Sequence, residues 1–543
     1  MKKLIYTIIF LAIADFANSQ VIQEWAALYS GSNNLGAAGL DMVIDGSGNV
    51  YITGTSVVND TNYDFCTIKY NSSGIQQWVT TYNGPYNGLD MGEYIAIDGS
   101  GNVYVTGPSD GSGSLVDYCT IKYNSSGVQQ WVARYNGPPG NHNDYPRDLA
   151  VDGSGNVYVT GYSRGNTNED EYCTIKYNSS GVQQWVNRYN GAGTDNSVAY
   201  SIAVDGSSNV YVTGRSGTGI TGHDCVTFKF NSSGVQQWVA IYDGPGNTYD
   251  CGESITVDGS GNVYITGVAS STLANKDILT IKYNSSGVQQ WSVLYDAISN
   301  SSDGGDAIAV DGSGNVYITG SSGNSSGTNK DFCSIKYNAS GVQQWVSTYN
   351  GPGNSDDNSR SIAIDGFGNV YITGDSKGNG SNDDFCAIKY NSTGAQQWLI
   401  RYNGPIGNLD FEDSDILVDG IGNVYLSGMR INSIWVCATI KYSQQVGIQN
   451  ISTEIPSAYS LGQNYPNPFN PTTKIRFDVP RSENVVIKVY DMLGKEVETL
   501  VNQNLTPGTY ETEWDASNFS SGIYYYKIMS GDFIHIKKMV LIK

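Results

Sequence analysis

Residues Leu149–Asn190 read LAVDGSGNVYVTGYSRGNTNEDEYCTIKYNSSGVQQWVNRYN. Val157-Tyr158-Val159-Thr160 and Cys173-Thr174-Ile175-Lys176-Tyr177 alternate with period two, the pattern of a strand with two different faces. Asp152-Gly153-Ser154-Gly155-Asn156 and Asn178-Ser179-Ser180-Gly181 interrupt these runs with hairpin residues, because Gly and Asn accept positive φ. The stretch therefore predicts four short strands: before Asp-Gly, after Gly-Asn, around Thr-Ile-Lys-Tyr, and around Gln-Gln-Trp.

The same unit recurs from Val21 to Tyr442. Trp25, Trp78, Trp131, Trp185, Trp238, Trp291, Trp345 and Trp398 stand 53 or 54 residues apart. Between them fall the Asp-Gly aspartates Asp45, Asp98, Asp152, Asp205, Asp258, Asp311, Asp365 and Asp419. Four strands per unit, repeated in this way, specify a β-propeller rather than a linear stack. The array opens with a lone strand, Gln23 to Tyr29, and closes with a unit, Ile416 to Tyr442, that lacks its Gln-Gln-Trp strand. The orphan strand completes the last blade, whereas an open solenoid would need polar caps. The expectation is an all-β, eight-bladed propeller over residues 20–443, closed by its N-terminal strand.

Composition narrows the function. The 543 residues carry 30 Lys+Arg against 51 Asp+Glu, a net charge of −21, which repels phosphate backbones and anionic lipid and excludes a nucleic-acid role. Forty Tyr exclude a disordered chain. Met1-Lys2-Lys3, the apolar run Leu4 to Ala14, and Ala17-Asn18-Ser19 read as a signal peptide over residues 1–19, cleaved before Gln20. The run is too short to span a bilayer, which takes roughly 20 residues, and no later segment is apolar enough.

GNVYVTG and CTIKYNSSGVQQW resemble the bacterial β-propeller repeats known as SBBP repeats, and LAVDGSGNVYVTG is more distantly similar to NHL-type propeller units. The resemblance implies the propeller fold but transfers no catalytic residue, since these repeats share no established activity.

In a four-stranded meander the Asp-Gly-Ser-Gly-Asn and Asn-Ser-Ser-Gly turns lie on one face and are nearly uniform. The other connections differ from blade to blade, as between GPPGNHNDYPRD (137–148) and GPIGNLDFEDSD (404–415). Binding residues sit on loops held by a rigid scaffold, so the variable face is where a ligand is expected. Its candidates are Asp90, Glu93, Asp144, Tyr145, Glu169, Asp170, Asp250, Glu253, Asp356, Asp357, Asp410, Glu412 and Asp413. Amides and aromatic faces suit hydroxyl-rich ligands, while a solvated acidic rim that keeps an exported protein soluble is the plainer alternative.

Other motifs carry less. Asp45-Gly46-Ser47-Gly48-Asn49 places oxygens at alternate positions, a weak signal for calcium. It lacks the sixth-position Gly and the distal Glu of a calcium loop, so a hairpin turn explains it better. No other cofactor is indicated. Lys69, Lys122, Lys176, Lys229, Lys282, Lys336, Lys389 and Lys441 recur once per unit and are expected to pair with the Asp-Gly aspartates, a functional lysine ring being the alternative. Cys66, Cys119, Cys173, Cys333 and Cys386 share one strand position and read as buried thiols. Cys225 and Cys437 sit one place off that register, and Cys225 with Cys251 is the one pairing left open. His142, His223 and His535 have no metal-ligand spacing, and no Gly-x-Ser-x-Gly elbow occurs in a strand-to-helix setting.

After Tyr442 the repeat stops. Residues 444–458 read as a polar linker, and residues 459–543 as a small Ig-like β-sandwich with strands at Lys474 to Val479, Val485 to Tyr490, Tyr510 to Trp514, Gly522 to Ile528 and Phe533 to Ile542. YPNPFNPTTKIRFDVP, VYDMLGKEVETL, GTYETEWDASNFSSGIYYYKI and KKMVLIK resemble, in order, the type A C-terminal sorting domain of type IX secretion. The resemblance implies a periplasmic intermediate and a translocon that recognises residues 459–543. It also implies a Gram-negative source and a domain commonly removed as cargo is released or attached to the outer surface. The combined expectation is an exported, surface or secreted propeller acting as a non-catalytic binding or adhesion scaffold for a glycan, matrix component or protein. The alternatives are a polysaccharide-active enzyme using loop carboxylates, and a structural surface-layer element.

Overall fold

The computed structural model describes residues 21–543 apart from 32–33, 60–61, 112–114, 139–141, 166–168, 192–195, 218–221, 247, 273–274, 298–301, 324–328, 379–382, 403–409, 432–433, 445–448, 453 and 517–518. The expected signal peptide, residues 1–19, lies outside the described residues. Gln23–Ser443 forms one compact unit and Gln444–Lys543 belongs to a second.

Every regular element among the described residues is a strand. The first unit holds eight four-stranded antiparallel sheets. Blades 1 to 7 run over Ala37–Tyr82, Tyr94–Tyr135, Asp144–Tyr189, Val198–Tyr242, Asp250–Tyr295, Gly304–Tyr349 and Asp357–Tyr402. The eighth combines Asp410–Gln444 with the N-terminal strand Val21–Tyr29, which lies beside Trp435–Gln444 at its outer edge. In each blade the first strand is innermost. It packs against the first strands of both neighbours, and that of blade 8 packs against that of blade 1.

The Asp-Gly turn folds because one carboxylate gathers its donors. Asp152 Oδ1 accepts the backbone N–H of Ser154 and Asn156 (both 2.9 Å), and Oδ2 accepts Asn156 Nδ2 (2.8 Å) and the Tyr158 hydroxyl (3.0 Å). Gly155 supplies the positive φ of +74°. Burial pushes the Asp152 carboxyl up, but these bonds outweigh it and hold the group below the ordinary range. The third turn of the blade, on the same face, is built on Asn178, whose Oδ1 accepts Ser180 and Val182 N–H (3.0 Å each).

Blades join through the tryptophans. Trp131 of blade 2 donates Nε1–H to the Ser179 carbonyl of blade 3 (3.1 Å), and a Cβ placed on Gly181 would meet its indole at 2.6 Å. The turn glycine thus serves both the backbone and the indole lying on it.

Seven of the eight lysines do not follow the expected pairing. Lys122 Nζ lies 4.9 Å from the Tyr104 ring centroid and donates to the Ser179 carbonyl of the next blade (3.2 Å). Lys69, Lys176, Lys229, Lys282, Lys336 and Lys441 repeat both contacts. Lys389 lies over Tyr371 at 5.2 Å. The aspartates are already committed to their own turns, so the ammonium takes a π face and a carbonyl instead. All eight cysteines are buried and free, Cys225 and Cys251 included.

The second unit is a sandwich of two four-stranded sheets. Trp514, Ile487, Tyr526, Phe477 and Met539 are among its buried core residues. Three strands escaped the sequence reading, Gln449–Ser452, Ser460–Leu461 and Glu496–Leu505. The first falls inside the stretch read as linker and pairs with Gly508–Asp515.

Candidate functional site

The acids expected on the variable face divide into two groups. Asp90, Asp144, Asp250 and Asp357 occupy equivalent positions at the entry to their blades and are fully buried. Each accepts the backbone N–H of a loop glycine six or seven residues earlier: Gly84 (2.7 Å), Gly137 (2.8 Å), Gly244 (2.6 Å) and Gly351 (2.6 Å). They close the inter-blade loop and offer no carboxylate to a ligand. Asp170 is likewise buried and holds Arg164 Nε at 3.0 Å. Glu169 is half-buried and Asp356 exposed, with Asp356 accepting the Lys330 N–H (2.9 Å). The side chains of Asp410, Glu412 and Asp413 lie outside the described residues.

Glu93, Tyr145 and Glu253 come together with residues the sequence reading passed over. The innermost strands of blades 1 and 3 to 7 bulge near their variable-face ends, for example between Pro146 and Asp148, Ala199 and Ser201, and Gly305 and Ala307. A bulge re-aims a side chain. The residue five places before the Asp-Gly aspartate varies over the first seven blades: Leu40, Glu93, Arg147, Tyr200, Glu253, Asp306, Arg360. Asp306 has an exposed side chain yet sits deep in the molecule, as a residue facing the central channel does. Burial, partly opposed by Arg360 and reinforced by Glu253, pushes its carboxyl up to about 7.

On one side of this mouth, cations and tyrosine rings alternate. Arg147 lies over Tyr162 (5.8 Å) and Tyr200 (6.0 Å), and Arg215 over Tyr200 (5.9 Å) and Tyr249 (5.4 Å). Lys276 lies over Tyr249 at 4.4 Å, and Tyr145 stacks on Tyr162 at 5.4 Å.

One residue deeper stands a second set of acids. Asp148 accepts the Ser201 hydroxyl (2.9 Å) and the Ile202 N–H (2.8 Å) of the next blade, and burial raises it to about 6. Asp41 accepts the Ile95 N–H (2.8 Å), and Asp415 the Ser361 hydroxyl (2.6 Å). Asp41 and Asp415 face each other across the seam of blades 8 and 1. Burial raises both, and the proximity of Asp415 raises Asp41 further.

Asp224, Asp243 and Asp250 bring carboxylate oxygens within 4.8 Å of one another between blades 4 and 5, a donor set of the hard-oxygen kind that divalent cations use. Both oxygens of Asp250 already accept backbone N–H, from Ser270 and Gly244.

Residues 463–543 match the family described as the secretion system C-terminal sorting domain, and residues 130–167 and 344–380 match the beta-propeller repeat named SBBP. The chain is therefore a β-propeller repeat protein that carries a type IX sorting domain. Such a domain marks it for interaction with the secretion system and for the cell surface or the outside. No curated protein matches the chain. Among solved structures it is similar to a protein of unknown function from Dyadobacter fermentans, at 9% identity and a TM-score of 0.39, covering 78% of this chain and 99% of that one. A protein of unknown function from Bacteroides caccae matches at 12% identity and a TM-score of 0.31, covering 56% and 96%. A fungal alcohol oxidase of the AA5 family, in complex with copper, matches at 9% and 0.39, covering 97% and 100%. Likeness at this level carries nothing about function. No helix among the described residues is long and apolar enough to cross a membrane.

Proposed function

We propose that the exported propeller is a non-catalytic binding module whose ligand, a glycan, matrix component or protein, engages the variable face at the mouth of the central channel. The observation that carries this reading is the bulged position of the innermost strands. It varies from Leu40 through Glu93, Arg147, Tyr200, Glu253 and Asp306 to Arg360, while the turns of the opposite face repeat. A repeat that keeps its scaffold and diversifies one ring of inward side chains has the layout of a recognition surface. The reading calls for no cofactor, and it takes residues 1–19 as a cleaved signal peptide that opens the export route.

A second reading, a polysaccharide-active enzyme, draws on the neighbouring carboxylates Asp41 and Asp415. Both are tied up by neighbouring backbone or hydroxyl donors, which favours structure over acid–base chemistry. The exported protein incubated with polysaccharides and matrix proteins separates the two readings. Retention without new products, reduced by Glu93→Gln with Tyr145→Ala, is expected. Products that vanish in Asp41→Asn would make it an enzyme, and retention indifferent to the mouth substitutions would move the ligand elsewhere.

A further inference from the structure

We propose that the channel mouth across blades 3 to 5 binds an isolated carboxylate carried on a sugar ring, with Arg147 and Arg215 taking the carboxylate and the intervening tyrosines receiving the ring. The proposal rests on the variable face being the binding surface.

The arginines of this propeller normally find acids. Arg134 pairs with Asp117 (3.2 Å), Arg188 with Glu171 (2.8 Å), Arg360 with Asp375 (3.2 Å) and Arg401 with Asp384 (2.8 Å). In a chain of net charge −21 that is the default. Arg147 and Arg215 depart from it: neither has a carboxylate within the 4 Å of an ion pair among the described residues, although Glu93 and Glu253 stand on the same bulge ring. Each also has a fully covered Nε with no hydrogen-bond partner. Buried donors are nearly always satisfied, and the acids of the ring leave these two unsatisfied. Each Nε is covered by protein, so a ligand would meet the Nη groups, one of which on Arg215 donates to the Tyr249 hydroxyl (3.0 Å). A guanidinium fork matches a carboxylate in two parallel hydrogen bonds, and it stays charged on a ring face.

The surroundings select the rest of the ligand. Tyr162, Arg147, Tyr200, Arg215, Tyr249 and Lys276 form one alternating row, with cation-to-ring distances from 4.4 to 6.0 Å. These tyrosines are half-buried rather than sealed, and the Tyr249 hydroxyl accepts Arg215 Nη1 at 3.0 Å. Such a row suits a hydroxyl-bearing sugar ring, which presents a C–H face to an aromatic ring, better than an aliphatic side chain, which would need an apolar pocket. Glu93 and Glu253 flank the row and, with the overall charge, repel densely charged polyanions. One carboxylate per binding unit fits; a nucleic acid does not.

The test measures binding of galacturonate, glucuronate and N-acetylneuraminate to the full exported chain, each beside its methyl ester, with N-acetylglutamate as a carboxylate lacking a sugar ring. At least one acidic sugar is expected to bind, its ester at least about tenfold more weakly. Arg147→Gln and Arg215→Gln should each cost about tenfold or more, and Arg147→Lys, which keeps the charge and loses the fork, should recover only part. Circular dichroism of each variant confirms the fold, and Gln130→Ala, exposed on the outermost strand of blade 2, serves as a neutral control. Equal affinity for acid and ester, no response to either arginine substitution, or no binding of any acidic sugar at about 10 mM overturns the proposal. N-acetylglutamate binding as tightly as the sugars would overturn its saccharide half. Retention on neutral glycans that is lost on Tyr145→Ala, but not on Arg147→Gln, would sink this inference and leave the binding face standing.

Discussion

Trp25 lies on Gly74: a Cβ on that glycine would fall 2.5 Å from the indole, and Trp25 Nε1 donates to the Ser72 carbonyl at 3.1 Å. Trp25 belongs to the N-terminal strand in blade 8, and Gly74 to a turn of blade 1. The junction of chain start and chain end therefore uses the same contact as Trp78 on Gly127 or Trp131 on Gly181. Lys441 adds its own bond to the Ser72 carbonyl (3.4 Å).

Removing that contact should loosen the ring where no covalent connection holds it. Trp25→Ala is expected to cost about 2–3 kcal/mol, below the full range for a core tryptophan because the side chain is only half-buried. Gly74→Ala should cost about 1–2 kcal/mol, since it strains a φ of +76° and displaces the indole. Urea unfolding followed by far-ultraviolet circular dichroism measures both. An unchanged midpoint in both variants would show that the seam does not depend on this contact.

The Asp-Gly turn gives a second test. Asp152 accepts from Ser154, Asn156, Tyr158 and, across to the next blade, Ser208 (2.9 Å). Asp152→Ala leaves those donors without an acceptor and should cost about 2–4 kcal/mol. Ser208→Ala removes one bond and should cost about 1 kcal/mol. Comparable losses for the two would mean that the inter-blade bond dominates the turn.

Much of this was legible beforehand. The blade count, the orphan strand and the sorting domain follow from the spacing of Trp25 through Trp398 and from the blocks after Tyr442, because repetition and local pattern survive in one dimension. The fate of the acids did not follow. Asp90 and Glu93 are three residues apart and chemically alike, yet the first closes a loop and the second stands on a bulge. Only the register of the inner strand separates them. Arg147 and Tyr200 stand at a position that keeps no consensus residue, and that variation five residues before each Asp-Gly is itself the signal. The lysines were misassigned for a different reason. Opposite charges at matching repeat positions suggest a pair, but the turn had already saturated the aspartates.

Stability should peak in mildly acid solution. Burial raises Asp148, Asp250 and Asp277 to about 6 and Asp306 to about 7. The folded protein therefore binds more protons than the unfolded chain, whose aspartates titrate near 4. The stability these protons supply is complete below about 4 and is lost as pH rises through 6 to 7. Asp45, Asp98, Asp152, Asp205, Asp258 and Asp311 are held low by their turns, net of burial. Their contribution is present above about 4 and is lost as pH falls through their lowered values. The urea midpoint should rise from pH 8 to about pH 5 and fall below about pH 4. Asp306→Asn should flatten the limb above pH 6. A midpoint that climbs steadily from pH 5 to pH 8 would contradict these assignments.

The sorting domain should need more chain than its sequence blocks suggest. Gln449–Ser452 pairs with Gly508–Asp515 through Gln449↔Glu511, Asn450↔Tyr510 and Ser452↔Thr509, so it forms the edge of one sheet. A fragment beginning at residue 459 exposes the strand edge behind it, whereas one beginning at residue 449 keeps that edge covered. At a few tenths to 1 kcal/mol for each cross-strand pair, the longer fragment should be more stable by about 1–3 kcal/mol. In a domain of this size that is a difference in Tm of roughly 5–20 °C. Fused to a reporter and expressed in a host with type IX secretion, the longer fragment should also give the higher exported yield. Equal Tm values would place these residues in the linker after all. Equal yields despite unequal Tm would show that the translocon reads residues 463–543 without needing the added edge strand.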